Sequence, residues 1–175
     1  GDYPEHAALR AYERRGTSRR YSYYGLPEGC DTVFFPGCTL SGTRSERVIE
    51  SYQFLKEKIP SVGIVLDCCA KPSHDLGRQD HFSAMFDEMK DYLVEHGIKN
   101  VIVACPNCHR VFSSYAKNLT TKSIYEILVG NSTGETMQTT GTVTVHDPCA
   151  IRLEGGLQDS ARELLASKRC ALEEM

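Results

Sequence analysis

TVFFPGC (32–38), VGIVLDCC (62–69) and NVIVACPNC (100–108) decide how the chain is read. Each opens as a short run rich in Val, Ile or Phe and ends in cysteine. Such runs, bounded by turn residues, have the pattern of buried parallel strands. From Cys38 to Cys108 the spacing is C-x29-CC-x35-C-x2-C. A fourth run, GTVTVHD at 141–147, leads into Cys149. Strands that share a direction bring their ends to one rim, the carboxyl edge, where open α/β sheets keep their ligands. The expected fold is therefore α/β, a three-layer, mostly parallel four-stranded sheet flanked by helices, with the cysteines at the carboxyl edge.

Composition narrows the function classes. The 175 residues carry a net charge of −3 and a pI near 6.1, which gives no general attraction to nucleic acid or to acidic membranes. No apolar run reaches the roughly 18 residues of a membrane span, and GDYPEHAALRAYERR at the start lacks the hydrophobic centre of a secretory signal. Eight cysteines without such a signal predict a reducing, cytoplasmic setting, where thiols bind metal or do redox chemistry more often than they form structural disulfides.

Outside the cysteine runs, residues 1–30 hold Arg10, Arg14, Arg15, Arg19 and Arg20 with Tyr21, Tyr23 and Tyr24. Ala7 to Arg15 can make a short helix, and the glycines and proline that follow favour turns. A basic, Tyr-interleaved arm can touch RNA or lipid headgroups, but this composition is read as a solvated linker. Thr43-Arg-Ser-Glu46 has the form of a capping box, ahead of a helix with Val48, Ile49, Tyr52 and Leu55 on one face. KPSHDLGRQ is expected as a loop. From about Asp80, Phe82, Met85, Phe86, Met89, Tyr92 and Leu93 recur at helical spacing, with Gly97 as the C-terminal stop. Asn107 is the expected cap of the next helix, which would put Cys108 in a first turn where a thiolate is favoured. A helical turn over Ser123–Leu128, a polar loop at 131–141 and a final helix over Leu157–Ser167 complete the pattern.

Several chemistries compete for the thiols. Isolated cysteines pack as small hydrophobes, which suits Cys170 and Cys30 but not a vicinal pair plus CxxC. Tetrahedral zinc wants four ligands, usually from two knuckles, and only one knuckle is present. CxxC running from a strand into a helix also suits dithiol redox chemistry, although three further cysteines are expected at the same rim. An iron–sulfur cluster uses thiolates as its usual ligands. Five of them, two adjacent, point to something more open than a cubane. His74, His109 and His146 lie near cysteines in sequence; each is read first as a surface or capping residue. No Gly-rich phosphate loop, HExxH or GxSxG occurs.

FFPGCTLSG, LDCCAKP, VIVACPNCHRVF and VTVHDPC together resemble the CCG cysteine-rich domain family. That family includes a heterodisulfide reductase component and the iron–sulfur subunits of glycolate oxidase and anaerobic glycerol-3-phosphate dehydrogenase. The resemblance implies a noncubane 4Fe–4S cluster held by Cys38, Cys68, Cys69, Cys105 and Cys108, with zinc as the alternative. It implies an electron-transfer part of an oxidoreductase, or heterodisulfide-reductase-like thiol–disulfide reduction, partnered by a flavoprotein or ferredoxin-like domain. Membrane association, at an inner face, would come only through partners. A zinc-bound or apo interaction domain is the reading from another class. The implied organisation is an arm over 1–30, a first CCG domain over 31–140, and the start of a truncated second repeat over 141–175, with Cys149 in its first-cysteine position. One departure stands out: Ala70 follows the vicinal pair where the family has glycine.

Overall fold

A computed structural model describes residues 3–130, 142–150, 152, 156–167 and 171–174. The expected loop at 131–141 and the thiol of Cys170 lie outside the described residues. The chain divides into two compact units, Gly1–Thr121 and Lys122–Met175.

The first unit opens with α1 (Ala7–Gly16) and β1 (Tyr23–Gly25). Then β2 (Thr32–Phe35), α2 (Cys38–Thr43), α3 (Ser45–Lys58), β3 (Gly63–Leu66), α4 (Lys71–Asp75), α5 (Gln79–Glu95), β4 (Asn100–Val103) and α6 (Pro106–Tyr115) follow. The main sheet runs β1-β3-β2-β4-β5, where β5 is Thr120–Ser123. β2 lies parallel to both β3 and β4, so the chain steps from β2 to one side and then crosses to the other. Loops leaving the carboxyl ends diverge at such a reversal, and a crevice opens between them.

Alternation along the strands sorts the core. Val33, Phe35, Val65, Val101 and Val103 join the buried cluster with Phe82, Phe86, Met89 and Leu93 of α5 and Val111 and Phe112 of α6. Phe34 and Ile102, also buried, point to the other face, as period-two geometry requires. α3 buries Val48 and Leu55. Phe112 meets Phe35 and Phe86 edge-on, with ring centroids 5.1 Å and 5.3 Å apart, contacts worth about 0.5–1.5 kcal/mol each beyond burial.

Several expectations are corrected. The run at 141–147 does form a strand, β6 (Thr142–Val145), but it pairs in parallel with β7 (Ala171–Glu174) in a separate two-stranded sheet. Alternating apolar residues declare a strand without declaring its partner, so Cys149 does not follow a strand of the main sheet. The main sheet instead gains β1, antiparallel to β3. The segment read as a solvated arm therefore supplies a strand, and its helix α1 is docked through the buried Glu13. Thr43 is no cap: it ends α2, its hydroxyl donates to the Thr39 carbonyl, and α3 starts without a side-chain cap. Ile49 is 57% exposed, off the buried face of α3. The KPSHD stretch is the short helix α4 rather than loop.

In the second unit, α7 (Ile124–Gly130) and α8 (Leu157–Ser167) accompany β6 and β7. Arg162 of α8 binds Asp147 of the HDPC stretch bidentately, at 3.0 Å and 2.9 Å, and also reaches Glu174 on β7. No described helix is long and apolar enough to cross a membrane.

Candidate metal centre

Three neighbouring parallel strands deliver the five cysteines. Cys38 follows β2 and heads α2, Cys68 and Cys69 follow β3, and Cys105 and Cys108 straddle the start of α6. The thiols meet in pairs. Cys108 donates to Cys69 at 3.5 Å, and Cys38 beside Cys68 and Cys105 beside Cys108 lie close enough for each pair to share charge.

Backbone conformation makes this approach possible. Gly37 has φ +85°, and a Cβ built there would sit 3.0 Å from the Cys105 Cβ and 3.1 Å from the Cys108 Sγ. Only glycine leaves room for the β2–α2 turn against the CxxC sulfurs. On the other side, α1 lies over the vicinal pair: a Cβ on Gly16 is 3.3 Å from the Cys68 Cβ and 3.6 Å from that of Cys38. Ala70 carries the backbone out of the pair at φ 55°, ψ 17°, the one described non-glycine residue in the left-handed region. A left-handed turn at this point explains why glycine suits the position.

Hydrogen bonds then fix the surroundings. The Tyr12 hydroxyl of α1 lies 2.9 Å from the Thr39 hydroxyl and donates to the Cys38 sulfur at 3.5 Å. Asp67 accepts the Cys68 amide at 2.7 Å and the Tyr24 hydroxyl from β1. Burial raises the Asp67 carboxyl, partly offset by those two donors. Glu13, 2% exposed, accepts the Ser73 amide at 3.0 Å and the Ser73 hydroxyl, pinning α1 to α4 directly after the vicinal pair.

Charge is divided unequally among the thiols. Cys38 is lowered to about 6, chiefly by the Cys68 thiol and then by Tyr12 and Thr39. Cys105 is lowered to about 6 by the Cys108 thiol and by the amides of Cys108 and Asn107. The donors show the converse: Cys68 is raised by donating to Cys38 and by burial, and Cys108 by its two sulfur neighbours and burial. The expectation that Cys108 carries the favoured thiolate is thus corrected. Pro106 occupies the first helical position and Cys105, not Asn107, is the N-cap, so the amides of Asn107 and Cys108 favour negative charge on Cys105 although no side-chain cap bond forms.

The remaining candidates separate cleanly. Cys30 is a core thiol donating to the Thr32 carbonyl at 3.2 Å. Cys149 and His146 are exposed in the second unit. His74 bonds Tyr115 at 2.7 Å, and His109 lies 3.5 Å from the Ser113 hydroxyl. Tyr12, Glu13 and Gly16 were not singled out from sequence; nothing in a basic arm marks which residues will face a distant cysteine. An open groove of about 660 Å3 reaches Cys38, walled by Tyr12, Arg15, Arg20, Tyr21, Tyr23 and Asp67.

Residues 32–113 match the family model of the CCG cysteine-rich domain. These residues are similar to the CCG cysteine-rich domain. The match spans all five cysteines of the rim, and the CCG domain is typical of iron–sulfur subunits of oxidoreductases. No curated protein and no solved structure matches the chain significantly.

The donor set of the five cysteines suits a thiolate-bound inorganic group. Two thiolates on one tetrahedral metal at about 2.3 Å stand about 3.7 Å apart, close to the 3.5 Å between Cys69 and Cys108. Yet among the described residues no three His, Cys, Asp or Glu side chains are arranged to hold a single ion.

Proposed function

We propose that this chain is the iron–sulfur part of an oxidoreductase. In this reading Cys38, Cys68, Cys69, Cys105 and Cys108 hold a noncubane 4Fe–4S cluster that passes electrons within a larger complex. When bound, such a cluster supplies one-electron transfer at a potential set by its net charge, hydrogen bonds to sulfur and exposure. The observation that carries the reading is the convergence of the five cysteines after three adjacent parallel strands, with Cys69 and Cys108 in contact, Cys38 and Cys68 both against Gly16, and Cys105 and Cys108 both against Gly37.

The chain's own residues bind, orient and shield. Cys38 and Cys105 are the thiols already inclined to ionise, and Cys68 and Cys108 give up their protons as the group is taken up. Tyr12 supports negative charge on Cys38, and Asp67 fixes the amide of Cys68. The buried positions of Cys68, Cys69 and Cys108 keep water from one side of the group. Partners would be a flavoprotein or ferredoxin-like domain, in the cytoplasm, with any membrane contact made through them.

The groove at Cys38 favours a second reading, reduction of a small disulfide there, in which two electrons and two protons convert the disulfide to two thiols. Replacement tests the ligand set. Cys68→Ser and Cys105→Ser should each abolish iron retention after anaerobic purification, while Cys30→Ser keeps it. Equal iron in all three variants overturns the assignment.

A further inference from the structure

We propose that the arginines and tyrosines around the Cys38 groove form the docking surface for an acidic redox protein. The redox nature of that partner rests on reading the thiols as an iron–sulfur site; the place of docking does not.

Residues 14–20 read RRGTSRR, four arginines in seven positions with no carboxylate among them. Arg15, Arg19 and Arg20 are exposed, and none of the three forms an ion pair among the described residues. Arg15 and Arg20 stand on the wall of the groove that reaches Cys38. Arg20 lies over the Tyr21 ring, its guanidinium carbon 5.6 Å from the centroid. A guanidinium resting on an aromatic face is already oriented, so it loses little further freedom on meeting a partner's carboxylate. Asp67 is the carboxylate on that wall, and its two oxygens are engaged by the Cys68 amide and the Tyr24 hydroxyl.

Tyrosines complete the patch. Tyr12, Tyr21 and Tyr23 line the same groove and are 45%, 52% and 58% exposed. The first lysine of the chain is Lys56, so the patch is built from arginine and tyrosine alone. Those residues are enriched at the centres of protein interfaces, where lysine is depleted. Charge also favours a protein over a polyanion. The whole chain carries −3 although residues 14–20 carry +4, which leaves −7 on the rest. An extended nucleic acid or an acidic bilayer meets that opposing charge, whereas a compact acidic face meets only the arginines. Cys38 is half-buried while Cys68, Cys69 and Cys108 are buried, so a partner seated in the groove approaches the sulfurs from their accessible side. Electron-transfer contacts are small, below about 1,200 Å2, and are steered by opposite charge.

The test uses the full chain purified anaerobically, with its iron measured first. An acidic two-iron ferredoxin is the probe; calorimetry gives its affinity at low and high sodium chloride, and amide exchange gives its place. Saturable binding is expected, at least tenfold weaker at high salt, with slowed exchange within residues 12–23. Arg15→Gln combined with Arg20→Gln should weaken binding, and slow electron transfer from the reduced ferredoxin to the iron-loaded chain, at least tenfold each. The charge-matched pair Lys56→Gln and Lys58→Gln, at the far end of α3, should change neither as much as twofold. No saturable binding, protection elsewhere, or equal losses in the two double variants overturns the proposal. Tighter binding of oligouridylate or of phosphatidylserine vesicles at residues 12–23 does so too. Ferredoxin bound at the patch of a chain that holds no iron would instead overturn the cluster reading and leave the acidic docking surface standing.

Discussion

At the residue scale, Ala70 and the divided thiols carry the most specific expectations. Ala70 is fully buried in a left-handed conformation, which costs an L-residue about 1–2 kcal/mol. Ala70→Gly removes that cost but loses a buried methyl worth about 0.8 kcal/mol and frees the unfolded chain, which costs about 0.4–1 kcal/mol more. The gain and the losses nearly cancel, so urea denaturation should give a change below about 0.5 kcal/mol, whereas an ordinary buried Ala→Gly loses about 1 kcal/mol. Ala70→Val, β-branched at positive φ, should lose at least about 2 kcal/mol. For the metal-free protein, Cys38 and Cys105 ionise near pH 6 rather than 9. Their alkylation by iodoacetamide should therefore rise between about pH 5 and 7 and level off by pH 8, because the thiolate is the nucleophile. Cys68 and Cys108, shifted the other way, should stay unmodified over that range. A shared rise toward pH 9 at all four would contradict the pairing. The identity of the reactive thiol was hidden in the sequence by helix phase: with Pro106 at the first position the N-cap is Cys105 rather than Asn107, and the first amides of the helix favour charge on Cys105.

At the element scale, the anchoring of α1 is the main finding. Glu13 satisfies both the amide and the hydroxyl of Ser73 inside the protein. Glu13→Ala leaves those donors unpaired and should cost about 2–3 kcal/mol. If α1 undocks locally, its amide exchange should accelerate about 30- to 150-fold, with the strands unaffected; no change would mean that α1 is held by other contacts. β2, β3, β4, α5 and α8 were legible because a packed strand or amphipathic helix writes its period into the sequence. The three-residue β1 was not, being an edge strand in a basic, turn-rich segment. The strand β6 was legible as a strand, but its sheet was not, since pairing is settled by partners distant in sequence. The capping box failed for a local reason: α2 claims Thr43 before α3 begins.

At the scale of the whole molecule, the legible part of the site was its list of sulfurs, and the hidden part was their pairing and cover. Strand direction alone carried Cys38, Cys68, Cys69, Cys105 and Cys108 to one rim, because β3, β2 and β4 are adjacent and parallel. Their contacts depend on Gly37, on the left-handed Ala70 and on α1, none of which a spacing of cysteines specifies. The central claim is that these thiols serve a polynuclear iron–sulfur group. Metal and acid-labile sulfide analysis of the anaerobically purified full chain tests it most directly. The account predicts roughly four irons with sulfide per chain and a brown colour; about one zinc, no sulfide and no visible absorbance would contradict it.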